Sequence, residues 1–365
     1  MKNSKMILGD RKMSNKQKRK SSAKKQRAKI ALIVVELFVL AILAVILYGV
    51  SKLNRIERPG SEIMDQVEVN DDIEQEVLEV TENFRTIAVF GLDNRSSGNL
   101  DSGNSDVIIV VTINNETHEV KLCSVYRDTY LDIGGGKFRK CNAAFANGGP
   151  QAAISMLNKN LDLNIEDYVT VDFGAVVECI DLVGGIELTI TDEEAHYMIG
   201  YVKELNELTG NTSKVPEAGG TYILDGVQAT AYSRIRYTAG NDFKRAERQR
   251  TVIAKMVEKV QQSDLKTINS IINTMFDDIE TSFTNAELIS LAAKVFDYQI
   301  TGSVGFPFEL SNAELGSKGM VVVPNTLESN VIELHKFLYD NDEYVPSTTV
   351  KANSKKIESD TGFGE

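Results

Sequence analysis

The chain has 365 residues, room for one large domain or two small ones with an ample core. Its formal charge of −12 hides an asymmetry. Residues 1–29 hold twelve Lys and Arg against Asp10 alone, and the remainder holds 28 Lys and Arg against 51 Asp and Glu, which argues against a DNA-binding body.

Residues 30–50 are apolar over 21 positions with one charge, Glu36, long enough to span a bilayer as a helix. The positive charges before it place the N-terminus in the cytoplasm and the body outside. No small-residue cleavage pattern follows, so a retained single-pass anchor is expected. The expected organisation is a basic cytoplasmic tail (1–29), a transmembrane helix (30–50) and an acidic stalk (51–83) that lifts the body off the membrane. Then come the main domain (84–262), an extension packed on it (263–346) and a polar, disordered tail (347–365).

In the body, 85–93 reads as a buried strand ending in Gly91-Leu92-Asp93, followed by a Gly-rich loop. Strands at 106–114 and 119–125 form a hairpin around Asn114-Asn115, and Tyr126-Arg127-Asp128 ends the second of them. After the Gly134–Gly136 turn come Lys137, Arg139 and Lys140. Residues 142–161 read as a helix broken at Gly148-Gly149, with Pro150 in the first turn of its second part. A strand (168–173), a helix (174–182) and a strand (186–190) follow, then an irregular, partly helical insert (192–220). Asp225-Gly226 opens a short helix, and 243–262 is a long one. Helical runs at 264–277, 284–297 and 327–340, a short segment at 299–308 and a strand at 319–323 complete the reading. Interleaved strands and helices predict a mixed α/β (α+β) domain with a central mixed sheet flanked by helices.

Residues 230–251 concentrate Arg234, Arg236, Lys244, Arg245, Arg248 and Arg250 in an acidic body. Read as an extended segment, Arg234 and Arg236 alternate onto one side. Asp242 is a candidate N-cap, and Arg245, Arg248 and Gln249 share a helix face behind it. Guanidinium forks converging on a helix start suit an oligo-anion such as pyrophosphate. The alternative is a solvated helix face laced with ion pairs. Upstream, Asp93 with Arg95, Asp106, and Arg127-Asp128 lie at strand ends, where α/β sheets place ligands. Asp93 and Asp106 could hold Mg²⁺ together with substrate phosphates, although a turn Asp and a strand-start cap are the plainer readings. His118, His196 and His335 are scattered, which weighs against zinc and against a His-based triad. Cys123, Cys141 and Cys179 allow at most one intramolecular disulfide, and buried thiols are the default.

The ordered set of motifs resembles the LytR–CpsA–Psr family of cell-envelope glycopolymer transferases. It comprises G-L-D-N-R (91–95), S-D-V-I-I-V-V (105–111), S-V-Y-R-D (124–128), K-C-N-A-A-F-A-N-G-G (140–149), L-V-G-G-I (182–186), L-D-G-V-Q-A-T-A-Y-S-R-I-R (224–236) and N-D-F-K-R-A-E-R-Q-R (241–250). The resemblance covers 84–262. It implies transfer of a teichoic-acid or capsule-type polymer from a polyprenyl-pyrophosphate carrier to peptidoglycan, with the lipid in an apolar tunnel. Alternatives are hydrolysis of the same donor, or a non-enzymatic envelope regulator or transcription attenuator. The resemblance further implies Asp93 and Asp106 as ligands of Mg²⁺ or Mn²⁺. Arg95, Arg127, Lys140, Arg234, Arg236, Arg245 and Gln249 would hold the pyrophosphate, and Asp242 would orient the arginines or activate the acceptor. Members often have Arg where this chain has Asn104, and Pro where it has Tyr126.

Overall fold

Strand alternation divides the body into two faces. In β1 (Phe84–Leu92), Ala88, Phe90 and Leu92 join one apolar cluster and Val89 joins another. In β2 (Ser105–Asn114), Ile108 and Val110 take the first side, and Val107, Ile109 and Val111 the second. A computed structural model describes residues 63–92, 100, 103–237, 241–264, 266–268, 270–271 and 279–364, all within a compact unit spanning Arg55–Glu365. The expected tail and membrane span, Asp93 and Arg95 lie outside the described residues.

The remaining strands are β3 (Glu119–Val125), the hairpin β4 (Tyr130–Asp132) and β5 (Phe138–Lys140), β6 (Asp167–Asp172), β7 (Ile186–Ile190), β8 (Gly220–Leu224), β9 (Ile279–Thr281), β10 (Gln299–Phe306), β11 (Leu310–Glu314) and β12 (Met320–Pro324). The central sheet runs β10-β3-β2-β1-β6-β9. The β1–β2, β2–β3 and β6–β9 pairs are antiparallel, and β1–β6 and β3–β10 are parallel. The expected mixed sheet is therefore present, but the region after 262 is not simply packed on it. That region supplies both edge strands, which a reading of local patterns does not reveal because edge pairing is long-range.

The helices are α1 (Gln75–Thr81), α2 (Ala143–Leu161), α3 (Phe173–Leu182), α4 (Asp192–Thr209), α5 (Gly226–Arg234), α6 (Asn241–Gln261), α7 (Asn285–Ala293), α8 (Leu327–Tyr339) and α9 (Thr348–Thr361). The cluster on the first sheet face takes in Phe145 and Leu157 of α2, Leu334 of α8 and Val350 and Ile357 of α9. On the opposite face Ile253 of α6 packs. Helix α2 breaks at Gly148 and Gly149, the latter at φ 62, and Pro150 restarts it as predicted. The three thiols are buried and unpaired.

Several expectations are corrected. The tail is not disordered. Ser347 caps α9 by accepting from Val350 N, and Val350 and Ile357, two turns apart, are fully buried. Two apolar anchors suffice there, too few to stand out in a polar stretch. Nor are residues 63–83 a free stalk: Val77 enters the core, and Asn70 Nδ2 donates to Asp162. The partly helical insert after 192 is borne out: its helical part is one helix, α4, started by a Thr191–Glu194 capping box, and 210–219 is irregular. Arg234 ends a helix rather than lying in a strand, because the Asp225–Gln228 capping box starts α5 there. At Gly226 a Cβ would lie 2.0 Å from Val177 O, so only glycine lets α5 approach α3 this closely.

Candidate active site

The second residue of β2, the turn after β3, the end of α5 and the first turns of α6 meet at one end of the sheet. Asp106 is their centre. Arg127 Nη1 donates to its Oδ1 and Arg236 Nη2 to its Oδ2, each at 2.6 Å. Arg234 leaves the end of α5 under cover, its guanidinium 4.7 Å from the Phe173 ring and 5.3 Å from the Tyr201 ring, with Nη2 3.3 Å from Glu204 Oε1. Ile235 is extended and turns Arg236 toward the same pocket.

Arg245, one turn into α6, is 4 % exposed. Its Nη1 lies 3.2 Å from Asp242 Oδ1 without the alignment of a hydrogen bond. Burial pushes the Arg245 guanidinium down to about 10; Asp242 opposes this, and the neighbouring Arg236 and Arg127 add to it. Burial also opposes charge on Arg127, but Asp106 outweighs it and holds that guanidinium above the ordinary arginine range. Arg127 Nε, Arg245 Nε and Arg245 Nη1 are buried and donate to nothing among the described residues. A buried donor without an acceptor costs about 1–3 kcal/mol, and more when charged.

Beneath the arginines the chemistry reverses. An apolar cavity of about 200 Å³ lies between the second sheet face and α6, walled by Val89, Val107, Ile109, Val252, Ile253 and Met256. Phe173 and Gln249 line both this cavity and the polar pocket holding Asp106, Arg234, Arg236 and Arg245. An arginine-lined polar pocket and an apolar chamber thus share two wall residues.

The structure therefore brings together Asp106, Arg127, Arg234, Arg236, Asp242, Arg245 and Gln249 as the sequence predicted. Lys140 is elsewhere: its Nζ pairs with Asp128 Oδ2 at 3.3 Å and faces a separate groove. Arg248 shares a helix face with Arg245 in sequence, yet it is buried on Glu194 at 2.9 Å and on the Ile235 carbonyl at 3.3 Å, a structural pairing. Phe173, Tyr201 and Glu204 were not anticipated. Tyr197, Tyr201 and Glu204 follow helical spacing in α4, the one local signal that places them on a common face. Among the described residues no three His, Cys, Asp or Glu side chains form a metal-binding group.

An arginine cluster beside an apolar chamber in a mixed α/β body is chemistry suited to an amphiphilic polyanion. The LytR_cpsA_psr family model matches residues 50–309, and the chain belongs to that family. It is 34 % identical over 211 residues to the polyisoprenyl-teichoic acid–peptidoglycan teichoic acid transferase TagU of Enterococcus faecalis, covering 56 % of this chain and 64 % of that protein. It is 34 % identical over 212 residues to biofilm regulatory protein A of Streptococcus mutans, covering 54 % of this chain and 50 % of that one. The match spans less than two thirds of either relative. Among solved structures, TagV of Bacillus subtilis superposes with TM-score 0.56 at 23 % identity, over 72 % of this chain and 99 % of that one. TagT bound to LIIa-WTA gives 0.53 at 19 %, over 78 % and 92 %. Both share the fold.

Proposed function

We propose that the chain is a membrane-anchored transferase that moves an anionic cell-wall glycopolymer, of teichoic-acid or capsule type, from a polyprenyl-pyrophosphate carrier to peptidoglycan. One observation carries this reading: a pocket lined by Arg234, Arg236 and Arg245 shares Phe173 and Gln249 with an apolar chamber. A prenyl pyrophosphate suits both parts, its phosphates the pocket lined by Arg234, Arg236 and Arg245 and the start of its tail the chamber. TagU of Enterococcus faecalis is named for transfer of teichoic acid from a polyisoprenyl-linked form to peptidoglycan.

In the step we propose, an acceptor hydroxyl oxygen attacks the glycan-side phosphorus. The new phosphodiester bond forms, the bridging P–O bond breaks, and prenyl phosphate leaves with the electron pair. The hydroxyl proton passes to a carboxylate, which we assign to Asp242, whose Oδ1 is buried without a hydrogen bond. Arg127, Arg234, Arg236 and Arg245 hold the phosphates and stabilise charge that grows on the oxygens.

Each oxygen of Asp106 is engaged by one guanidinium and retains acceptor capacity for a hard cation. Mg²⁺ or Mn²⁺ would be held by Asp106 together with Asp93 and the substrate, where it would neutralise pyrophosphate charge. The anchor at 30–50 would keep the body outside the membrane surface, next to donor and peptidoglycan.

The test uses purified full-length protein with a lipid-linked glycopolymer and peptidoglycan fragments. A covalent conjugate is expected, and Arg236→Ala should lower its rate by about a hundredfold. Release of free phosphoglycan without conjugate would favour hydrolysis. Neither conjugate nor phosphoglycan from the wild type would point to a regulator, and unchanged turnover in Arg234→Ala/Arg236→Ala would refute the arginine site.

A further inference from the structure

Lys140 leads away from the arginine cluster into a second groove of about 380 Å³. Arg127, Arg139, Lys140 and Lys318 line it, with Asp128 as the carboxylate among them. These cations come from separate places: the turn after β3, the β4–β5 hairpin, and the 3₁₀ turn Gly316–Lys318 between β11 and β12. Asp128 is shared, lying 3.3 Å from Lys140 Nζ and 3.7 Å from Arg127 Nε. Arg139 is exposed and has no ion pair among the described residues. The walls are fixed to one another through backbone. Val322 N donates to the Asp128 carbonyl at 2.9 Å, and Asn142 N donates to the Arg127 carbonyl at 3.1 Å. The backbone that carries these cations is thus held in place, and Asp128 ties Arg127 to Lys140.

Arg127 belongs to both places, with Nη1 on Asp106 and its side chain forming one wall of the groove. A ligand held at Asp106 would therefore continue directly into the groove. We propose that this groove is a second anion subsite for the same donor, holding a phosphodiester of the glycopolymer while the pyrophosphate occupies the arginine cluster. This rests on the function proposed above. Arg127 and Lys140 are partly neutralised by Asp106 and Asp128, and Lys318 Nζ rests on Tyr130. The lining as a whole stays cationic, with Arg139 its exposed charge, which suits a repeating phosphate better than a hydroxyl-rich acceptor glycan. Lys318 lies beyond the family-matched residues 50–309, so this wall is contributed by a part of the chain outside the shared domain, where polymer preference could be set without altering the pyrophosphate site.

The experiment compares three probes on the full-length protein in detergent: farnesyl pyrophosphate, a farnesyl-pyrophosphoryl disaccharide, and the same disaccharide carrying a short oligo(glycerol phosphate). The wild type should bind the third more tightly than the second by about tenfold, and less so at high salt. Arg139→Glu and Arg139→Glu/Lys318→Glu should remove that preference while leaving the other two probes within about twofold of the wild type. Arg139 is exposed, so the single variant covers the case in which the double variant does not fold. The proposal is overturned if the wild type shows no preference for the phosphate-bearing probe, or if Arg139→Glu weakens all three probes equally. It is also overturned if Arg139→Glu instead lowers affinity for a muramoyl-peptide fragment, which would give the groove to the acceptor. Failure of the wild type to bind farnesyl pyrophosphate overturns the proposed function itself, and this subsite with it.

Discussion

His335 shows how one buried side chain sets a pH limit. Its ring is fully buried and stacked on Tyr344 at 3.7 Å, and Nε2 donates to the Leu161 carbonyl at 2.9 Å. Nδ1 has no partner among the described residues, so a second proton finds no acceptor there. Burial pushes the imidazole down to about 4 from its ordinary 6.5, opposed by the Leu161 carbonyl and Asp162. Between these two values the unfolded chain binds a proton that the folded chain refuses. Stability is therefore unaffected above pH 6.5 and falls as the pH drops toward 4, by about 3 kcal/mol in all. His335→Phe should lose about 1 kcal/mol near neutrality from the unpaired Leu161 carbonyl, yet flatten the acid limb. Urea unfolding at neutral and mildly acidic pH checks this; equal acid slopes in the two proteins would refute it. The legibility of the active site is also decided at the level of single residues. Arg234, Arg236, Arg245 and Asp106 stood out because charge at strand ends and helix starts needs a reason. Phe173 and Tyr201 did not, because aromatic residues in helices are ordinarily core. Nothing local in Lys140 reveals that it faces Asp128 rather than Asp106.

At the scale of elements, α6 changes character along its length. Its first turns bury Arg245, Arg248 and Gln249, and its middle gives Val252, Ile253 and Met256 to the chamber. Position along the helix is thus depth below the phosphates: eleven residues from Arg245 to Met256 correspond to roughly 16 Å. Met256→Trp should shorten the chamber. Each buried methylene contributes about 0.8 kcal/mol, so excluding two should weaken a long prenyl pyrophosphate about tenfold while isopentenyl pyrophosphate binds as before. Competition binding with the two ligands tests this, and parallel losses would count against the chamber as the tail site. The long helix was readable from its periodicity and its basic start. The edge strands were not, since β9 has three residues and β10 owes its place to β3.

At the scale of the whole molecule, the family-matched stretch ends at residue 309, but the hydrophobic core does not. Val331, Leu334, Leu338 and Val350 are fully buried against the first sheet face. A chain ending at residue 309 would uncover that face, at a cost of roughly 1.5–3 kcal/mol per large apolar side chain lost, more than marginal stability allows. It should show no cooperative thermal transition by circular dichroism. A cooperative melt near that of the full chain would mean that α8 and α9 are accessory.

The sheet order has a consequence for how the protein is made. Val304 of β10 lies beside Cys123 of β3, and Thr281 of β9 beside Val169 of β6. Both borders of the sheet are closed by segments synthesised long after the strands they cover. Contacts so distant in sequence slow folding, and until they form the growing chain displays open edges able to pair with a neighbour. Sheet closure thus becomes a late step in biogenesis, and the interval before it is when the emerging protein is most exposed to misassembly.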